Sequence, residues 1–442
     1  MSRHGVKRGR EESPPFADAS RARISTSEEG DDSQIIRQVA EHYSSRSNQT
    51  REEREASPII HLKKLNNWIK SVLIHLYARR GDAVLDLGCG KGGDLIKWDK
   101  ANISYYVGVD IAEGSIEDAR NRYNGDTDHA QNRKVFSFPA RLVCADCYEV
   151  PLDEALKDVP QFDVCSCQFT LHYSWSTEER ARQALHNVTS MLLPGGTFIG
   201  TMPDANVIVR KLRDADGLEF GNSVYRVEFD DKYSEKRFMG LPFGIQYHFH
   251  LEDAVDCPEW LVPFSKFVAL AEEYGLELVM KQNFHEFVHQ YIQKLEFGEL
   301  MRKLGALGDG TEGNTISDDE WEAAYIYLVF VFRKKGTPKL RQKVVPKGSF
   351  KRIEPEDVLF VQLPVEGSSF LSGAFTSDTN VFSHWAIVLA ADKHFGIVAY
   401  HSSFHDGDEN LVLREMIAES TEAPCPVFGT VSHLAVRKQT KS

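Results

Sequence analysis

No apolar run in the sequence approaches the ~20 residues that a membrane-spanning helix needs, which excludes the helical membrane proteins. The polar start MSRHGVKRGR has no apolar stretch of the signal-peptide kind, so a soluble intracellular protein is expected. Cysteine is scarce: seven in 442 residues are too few for a disulfide framework, and free thiols in a reducing compartment are the expectation. An excess of positive charge is also missing. Fifty-two Lys and Arg against 65 Asp and Glu leave a net charge of −13, which argues against a protein that coats nucleic acid along its whole surface. The one local exception is Arg3, Lys7, Arg8 and Arg10, with no acid among the first ten residues; it reads as a solvated tail or as a nuclear-localisation segment.

What is present is ordinary for a globular protein. Hydrophobic residues make up 42% and charged residues 26%, and the length suggests two or three domains at ~100–200 residues each. Residues 1–34 mix Ser, Pro, Glu, Asp and Arg with few apolar positions and are expected to be a disordered tail. Ile35, Ile36, Val39 and Tyr43 then follow helical spacing, and residues 59–77 continue as an amphipathic helix. Short β-rich runs at 83–87, 105–109, 141–145, 162–167 and 197–202 alternate with helical stretches at 93–100, 113–123 and 178–191. That beat implies βαβ units and a mostly parallel sheet covered on both faces. The beat breaks after Met202 into aromatic-rich, period-two sequence, read as an antiparallel insertion over about 203–262 at the active edge of the sheet. Runs at 276–280 and 324–332 complete the sheet, the last strand antiparallel. Residues 337–351 read as a Gly, Pro and Lys-rich linker, and 352–442 as a separate small β-rich module.

The chemistry is concentrated in Val84 to Gly93, VLDLGCGKGG, a strand that breaks into glycines and opens a helix. Such a loop brings backbone close to a ligand at a helix N-terminus. Gly88, Gly90, Gly92 and Gly93 give G-x-G-x-G-G rather than G-x-G-x-x-G. Asp110 ends the next strand, where an acid accepts both hydroxyls of a ribose, and Asp146 ends the one after, placed to accept from an adenine amino group. An acid-x-G-x-G loop followed by two strand-end acids is the signature of Rossmann-like class I S-adenosylmethionine methyltransferases. The rival reading, a dinucleotide oxidoreductase, uses the same crevice but lacks the late reversed strand.

Five further blocks sharpen this: Leu65 to Ile74 (LNNWIKSVLI), Leu85 to Leu95 (LDLGCGKGGDL), Gln168 to Tyr173 (QFTLHY), Cys257 to Val262 (CPEWLV) and Tyr325 to Phe330 (YIYLVF). Over residues 36–336 the sequence resembles the eukaryotic mRNA cap guanine-N7 methyltransferases, with Leu65 where that family usually has Phe and Trp260 where Tyr is common. The resemblance implies a cap methyltransferase domain over 35–336. It implies S-adenosylmethionine as methyl donor, S-adenosylhomocysteine as product, and a donor site of Lys70, Gly88, Asp110, Asp146, Gln168 and Tyr173. It places Asn66, Asn67, Lys91, Lys97, Arg122, His172, Glu259 and Tyr327 at the cap, the three cations near its phosphates and Glu259 accepting from guanine N1 and N2.

No general acid or base is expected, because guanine N7 carries its own lone pair. His172, Tyr173 and Glu259 are expected to act by alignment and electrostatics. The resemblance further implies a nuclear protein acting on capped nascent mRNA, with other capping enzymes and the transcribing polymerase as partners and no membrane. Cys144, Cys147, Cys165 and Cys167 have a spacing that zinc sites share, but they fall in or beside parallel strands, so no metal is expected. In the C-terminal module, Phe382 to Leu389 with Cys425 faintly suggests a papain-like hydrolase, and a binding or structural appendage is preferred. Two alternatives stand beside the main reading: a catalytically silent cap-binding scaffold, against which the full donor set argues, and a class I methyltransferase for another nucleotide-like substrate, against which Asn66 and Glu259 argue. With every candidate residue between Asn66 and Tyr327, both flanks are expected to be dispensable for chemistry.

Overall fold

The first two strands, β1 (Ala83–Leu87) and β2 (Tyr105–Asp110), are buried at every position, the mark of a parallel sheet covered on both faces. The computed structural model describes residues 26–45, 51–126, 136–238, 240–311, 314–337, 352–361, 368–375, 384–391 and 394–399. Ahead of β1 come α1 (Thr26–Ser45), α2 (Arg51–Glu55) and α3 (Ile60–Tyr77). The winding then runs α4 (Leu95–Lys100), α5 (Glu113–Asn124), β3 (Ala140–Cys144), α6 (Leu152–Ala155), β4 (Phe162–Gln168), α7 (Glu178–Met191) and β5 (Leu192–Pro203). After α8 (Ala205–Asp214), four short strands form a separate antiparallel sheet: β6 (Glu219–Gly221), β7 (Tyr225–Glu228), β8 (Gln246–Leu251) and β9 (Val255–Trp260). This sheet fills the stretch expected as an antiparallel insertion.

The chain returns through α9 (Phe264–Glu273), β10 (Leu276–Asn283), α10 (Phe284–Tyr291) and α11 (Leu295–Leu304). A small hairpin of β11 (Gly308–Thr311) and β12 (Asn314–Thr315), then α12 (Asp318–Tyr325), lead into β13 (Tyr327–Lys334). The last central strand therefore starts at Tyr327 rather than Ala324. Ser317 and Glu320 form a capping box that keeps residues 318–325 helical. The same Glu320, 3% exposed, accepts the amides of His61 and Leu62 at 3.0 Å each, so one carboxylate caps α3 as well.

The central sheet has the order β10-β13-β5-β4-β1-β2-β3-β14, where β14 is Leu359–Phe360. Strand β13 runs antiparallel to both neighbours, and the remaining pairs are parallel. The order reverses between β1 and β4, which opens a crevice beyond their carboxyl ends. Two hydrophobic cores pack on the two faces, one gathering Trp68, Trp98 and Phe287, the other Trp175, Phe198 and Phe267.

Two expectations are corrected. Helix α1 begins at Thr26, so the first ordered element reaches into the stretch read as tail. Residues 352–361 join the central sheet instead of starting a separate module: Ile353 is fully buried, and β14 pairs in parallel with β3. The reason is apolar: Ile353, Val358, Leu359 and Val361 all find cover in the two cores. Beyond them β15 (Ser368–Phe375), β16 (His384–Ala391) and β17 (His394–Ala399) form an antiparallel sheet, while Cys425 and the linker from 338 to 351 lie outside the described residues.

Candidate active site

At the end of β1 the backbone turns through Gly88 with φ +68°, and a Cβ there would stand 2.5 Å from the side chain of Thr170 on the far side of the crevice. Only glycine lets the two loops approach this closely. The amides of Gly88 and Cys89 both donate to Val109 O, at 2.8 and 3.0 Å. Asp110 completes the anchor: Oδ2 accepts from Gly90 N at 2.8 Å and Oδ1 from Ala112 N at 2.9 Å. Burial pushes its carboxyl above the usual range, and the two amides pull it partly back. A carboxylate has about four acceptor positions, so Asp110 retains capacity for a ribose. Asp146, one strand over, accepts from Tyr148 N at 2.9 Å and pairs with Arg180 Nη2 at 2.8 Å.

These loops enclose a cavity of about 330 Å³. Lys70, Gly88, Lys91, Asp110, Arg122, Asp146, Gln168 and Tyr173 all contribute to its wall. Gln168 is fixed from both ends of its amide, donating to Ser166 Oγ at 3.3 Å and accepting from Thr201 Oγ1 at 3.2 Å. Lys70 and Lys97 both reach Asp94, at 2.9 and 2.6 Å. Burial alone would raise the Asp94 carboxyl; the two ammonium groups outweigh it and hold the acid well below the usual range. Lys97 also donates to Asn67 Oδ1 at 3.0 Å, which ties the α3 asparagine to the glycine-loop side. Lys91 pairs with Asp118 at 2.8 Å.

Asn66, Asn67, Lys97, His172, Glu259 and Tyr327 are not on the wall of that cavity. Tyr327 reaches the wall through Phe169, His172 and Glu259 through Tyr173, and Asn67 and Lys97 through Asp94, while no contact links Asn66 to the wall among the described residues. Phe169 has φ +59°, a strained value for a bulky residue, and its ring meets Tyr327 edge to face at 5.2 Å. Tyr173 packs on His172 with ring centroids 4.3 Å apart. His172 Nε2 lies 3.3 Å from Glu259 Oε1 without the alignment of a hydrogen bond, and among the described residues neither ring nitrogen has a hydrogen-bond partner. Asn66 Oδ1 is likewise buried and unpartnered. Buried polar atoms of this kind are uncommon in native interiors; here they also include Trp98 Nε1 in one of the cores, so a bound ligand is one of the explanations they admit.

Sequence reasoning passed over several residues that this geometry involves. Ile36, Val39 and Tyr43 of α1 close one side of the cavity, with Tyr43 Oη 3.0 Å from Tyr173 Oη. Their helical spacing was visible, their destination was not. Arg180 holds Asp146 from the start of α7. Tyr247 donates to Glu259 Oε2 at 2.7 Å, because β8 and β9 pair Tyr247 directly opposite Glu259. Period-two alternation marked Tyr247 as one inward residue among several; the register that selects it is tertiary. The thiols of Cys144 and Cys167 go to Ile111 O, 3.8 Å, and to Thr170 Oγ1 and Tyr148 Oη, 3.1 and 3.3 Å. Among the described residues no group of three His, Cys, Asp or Glu side chains is arranged to hold a metal ion.

A doubly wound sheet with one reversed strand, a glycine loop at its switch point and acids at the next two strand ends define a class I methyltransferase of Rossmann-like architecture. Comparison with known proteins narrows the class. A family model described as the mRNA (guanine-N(7))-methyltransferase domain matches residues 26–335. A protein of Arabidopsis thaliana named mRNA cap guanine-N(7) methyltransferase 1 is 63% identical over 369 residues, covering 80% of this chain and 100% of its own length. The protein of the same name from Oryza sativa is 70% identical over 309 residues (70% of this chain, 84% of its own), and the mRNA cap guanine-N(7) methyltransferase of Saccharomyces cerevisiae is 41% identical over 311 residues (67% and 69%). The chain belongs to the mRNA cap guanine-N7 methyltransferase family, and its activity is methylation of the cap guanine.

Proposed function

We propose that the 330 Å³ cavity receives S-adenosylmethionine and that the cap guanine lies just beyond Tyr173, among His172, Glu259 and Tyr327. The observation that carries this reading is the junction at Tyr173: it lines the cavity while its neighbour His172, buried with no ring-nitrogen hydrogen bond among the described residues, faces Glu259 at 3.3 Å. The residues fit the donor. Gly88 and Gly90 bring backbone to the wall, with open space where a Gly90 Cβ would stand, Asp110 and Asp146 retain acceptor positions for a ribose and an adenine amino group, and Lys70 suits a methionyl carboxylate. Gln168 borders the same wall.

Bound there, S-adenosylmethionine supplies an electrophilic methyl group on a positively charged sulfur. Guanine N7 attacks that carbon with its lone pair; the N–C bond forms as the C–S bond breaks, the electron pair leaves with sulfur, and the purine takes the positive charge. The protein removes no proton from N7. Its part is alignment, worth about 7–11 kcal/mol in favourable cases, with the Glu259 carboxylate, accepting from guanine N1 and N2, stabilising the cation as it develops. Asn66 and Asn67 border the guanine side. Lys91, Lys97 and Arg122 supply cations for the triphosphate bridge on a chain whose net charge is −13.

Residues 35–336 together with 352–361 form the catalytic unit in this reading. The basic N-terminal cluster and a capped-transcript substrate support nuclear localisation alongside the polymerase and the other capping enzymes. Transfer of a radiolabelled methyl group to GpppRNA, compared with GpppG and uncapped RNA, tests the assignment. Label is expected in the two capped substrates only; label in uncapped RNA rejects it.

A further inference from the structure

The family model stops at residue 335, yet residues 352–361 come back to the sheet. The fully buried Ile353 donates its N–H to Asn124 Oδ1 at 2.9 Å and accepts from Asn124 Nδ2 at 2.6 Å through its carbonyl. Arg352 forks onto the Asp126 carboxylate at 2.8 and 3.2 Å. All of these partners belong to the end of α5 or follow it directly. Leu359 and Phe360 then lie in register with Val143 and Cys144, and Val361 N donates to Cys144 O at 3.0 Å. Val358 packs into one core and Leu359 with Val361 into the other, so the segment is bolted to both faces of the sheet.

The two anchor points are next to the active site. Cys144 is two residues ahead of Asp146, and on its other side it pairs with Asp110, whose carbonyl accepts from Ala145 N at 2.9 Å. Helix α5 carries Arg122, on the cavity wall, between Arg120 and Asn124, both of which donate to Ile353 O. Without β14, β3 would be an edge strand, and the ends of edge strands open more readily than paired ones.

We propose that residues 352–361 are a positioning strap of the active site, holding the end of β3 so that Asp146 stays on the donor wall and the end of α5 so that Arg122 stays at the cap phosphates. The proposal rests on the assignment of those two residues made above. In the full-length protein, Val361→Pro deletes the N–H that bonds Cys144, and Asn124→Ala deletes the grip on α5. Val361→Pro is expected to weaken S-adenosylhomocysteine binding about fivefold, the weight of one hydrogen bond, with KM for capped RNA unchanged. Asn124→Ala is expected to raise KM for capped RNA by a similar factor, and, lying on a different element, it keeps the proposal open to refutation if the proline disturbs folding.

Titration calorimetry and steady-state kinetics read both constants, and thermal unfolding reads stability. Lowered melting temperatures with both constants unmoved overturn the proposal. So does a fivefold loss that persists in an Asp146→Asn background, since general loosening rather than positioning then explains it. Asp146→Asn that binds S-adenosylhomocysteine normally takes down the underlying assignment and the proposal with it, whereas a loss there with none in Val361→Pro overturns the strap alone.

Discussion

The two halves of the active site handle their buried polar groups in opposite ways. On the donor side, Asp94 is held between Lys70 and Lys97, Asp110 by two backbone amides, and Asp146 by Arg180 and an amide. On the proposed cap side, both nitrogens of His172 and the side-chain oxygen of Asn66 are buried with no hydrogen bond among the described residues, while Glu259 is tied to Tyr247 and Asn67 to Lys97. In the proposed reading the donor wall is fixed largely by the protein's own contacts, Arg180 Nε excepted among the described residues, while the cap wall keeps polar atoms for a bound base. A change on the donor side is therefore expected to disturb binding and local structure together. A change on the cap side is expected to disturb turnover with little cost to the fold.

The largest test of this contrast is Asp110→Ala, which removes the proposed ribose acceptor and the anchor of the glycine loop at once. Two charge-assisted hydrogen bonds at about 1.5–3 kcal/mol each predict at least a hundredfold loss of S-adenosylhomocysteine affinity by calorimetry, with a modest drop in melting temperature. Wild-type affinity would remove Asp110 from the donor site. Glu259→Gln comes next. It keeps shape but loses the charge proposed to favour a cationic guanine, and kcat/KM on capped RNA is expected to fall about a hundredfold, as when one preorganised electrostatic contact is removed, while donor affinity holds. Unchanged kinetics would contradict the assignment of Glu259 to the cap.

Tyr247→Phe sharpens the comparison, because it removes the hydroxyl that donates to Glu259 and keeps the ring. About a tenfold fall in kcat/KM is expected, the loss of one hydrogen bond to a charged group. In a Glu259→Gln background the same substitution should do nearly nothing; an equal effect in both backgrounds would show that Tyr247 works independently.

The smallest effect expected is on stability. Burial pushes the Asp86 carboxyl up to about 7 from 3.8, with Asp94 adding to the rise and hydrogen bonds from Ser166 and Tyr106 opposing it. The folded protein therefore retains a proton on Asp86 that the unfolded chain has released, and this contribution to stability is fully present below about pH 4 and lost as pH rises through about 7. Asp86→Asn should raise the melting temperature at pH 8 by a few degrees and flatten its dependence between pH 4 and 7. Parallel curves for the two proteins would place that titration elsewhere.

The glycine loop, the two strand-end acids and the alternation of strands and helices were legible because each is a local requirement. A left-handed turn needs glycine, a parallel strand needs an unbroken apolar run, and both are written in consecutive residues. The insertion was legible as a type, antiparallel and aromatic, from its period of two. Its register was not, and the register is what makes Tyr247 rather than Phe249 or Tyr225 the partner of Glu259. Ile36, Val39 and Tyr43 showed a helix with an apolar face, but nothing in their spacing said that the face would close over the donor cavity.

The sequence by itself therefore determined the order of elements, the glycine loop that lines the cavity and the family to which the chain belongs. The tertiary structure alone decided which residues far apart in the chain would share a wall: Lys70 with Asp94, Asp146 with Arg180, His172 with Glu259, and Ile353 with Asn124. The physical reason is separation. Backbone preferences and hydrophobic periodicity act over a few residues, whereas the pairing of two buried polar groups is fixed only when sheet order and strand register have brought their elements together.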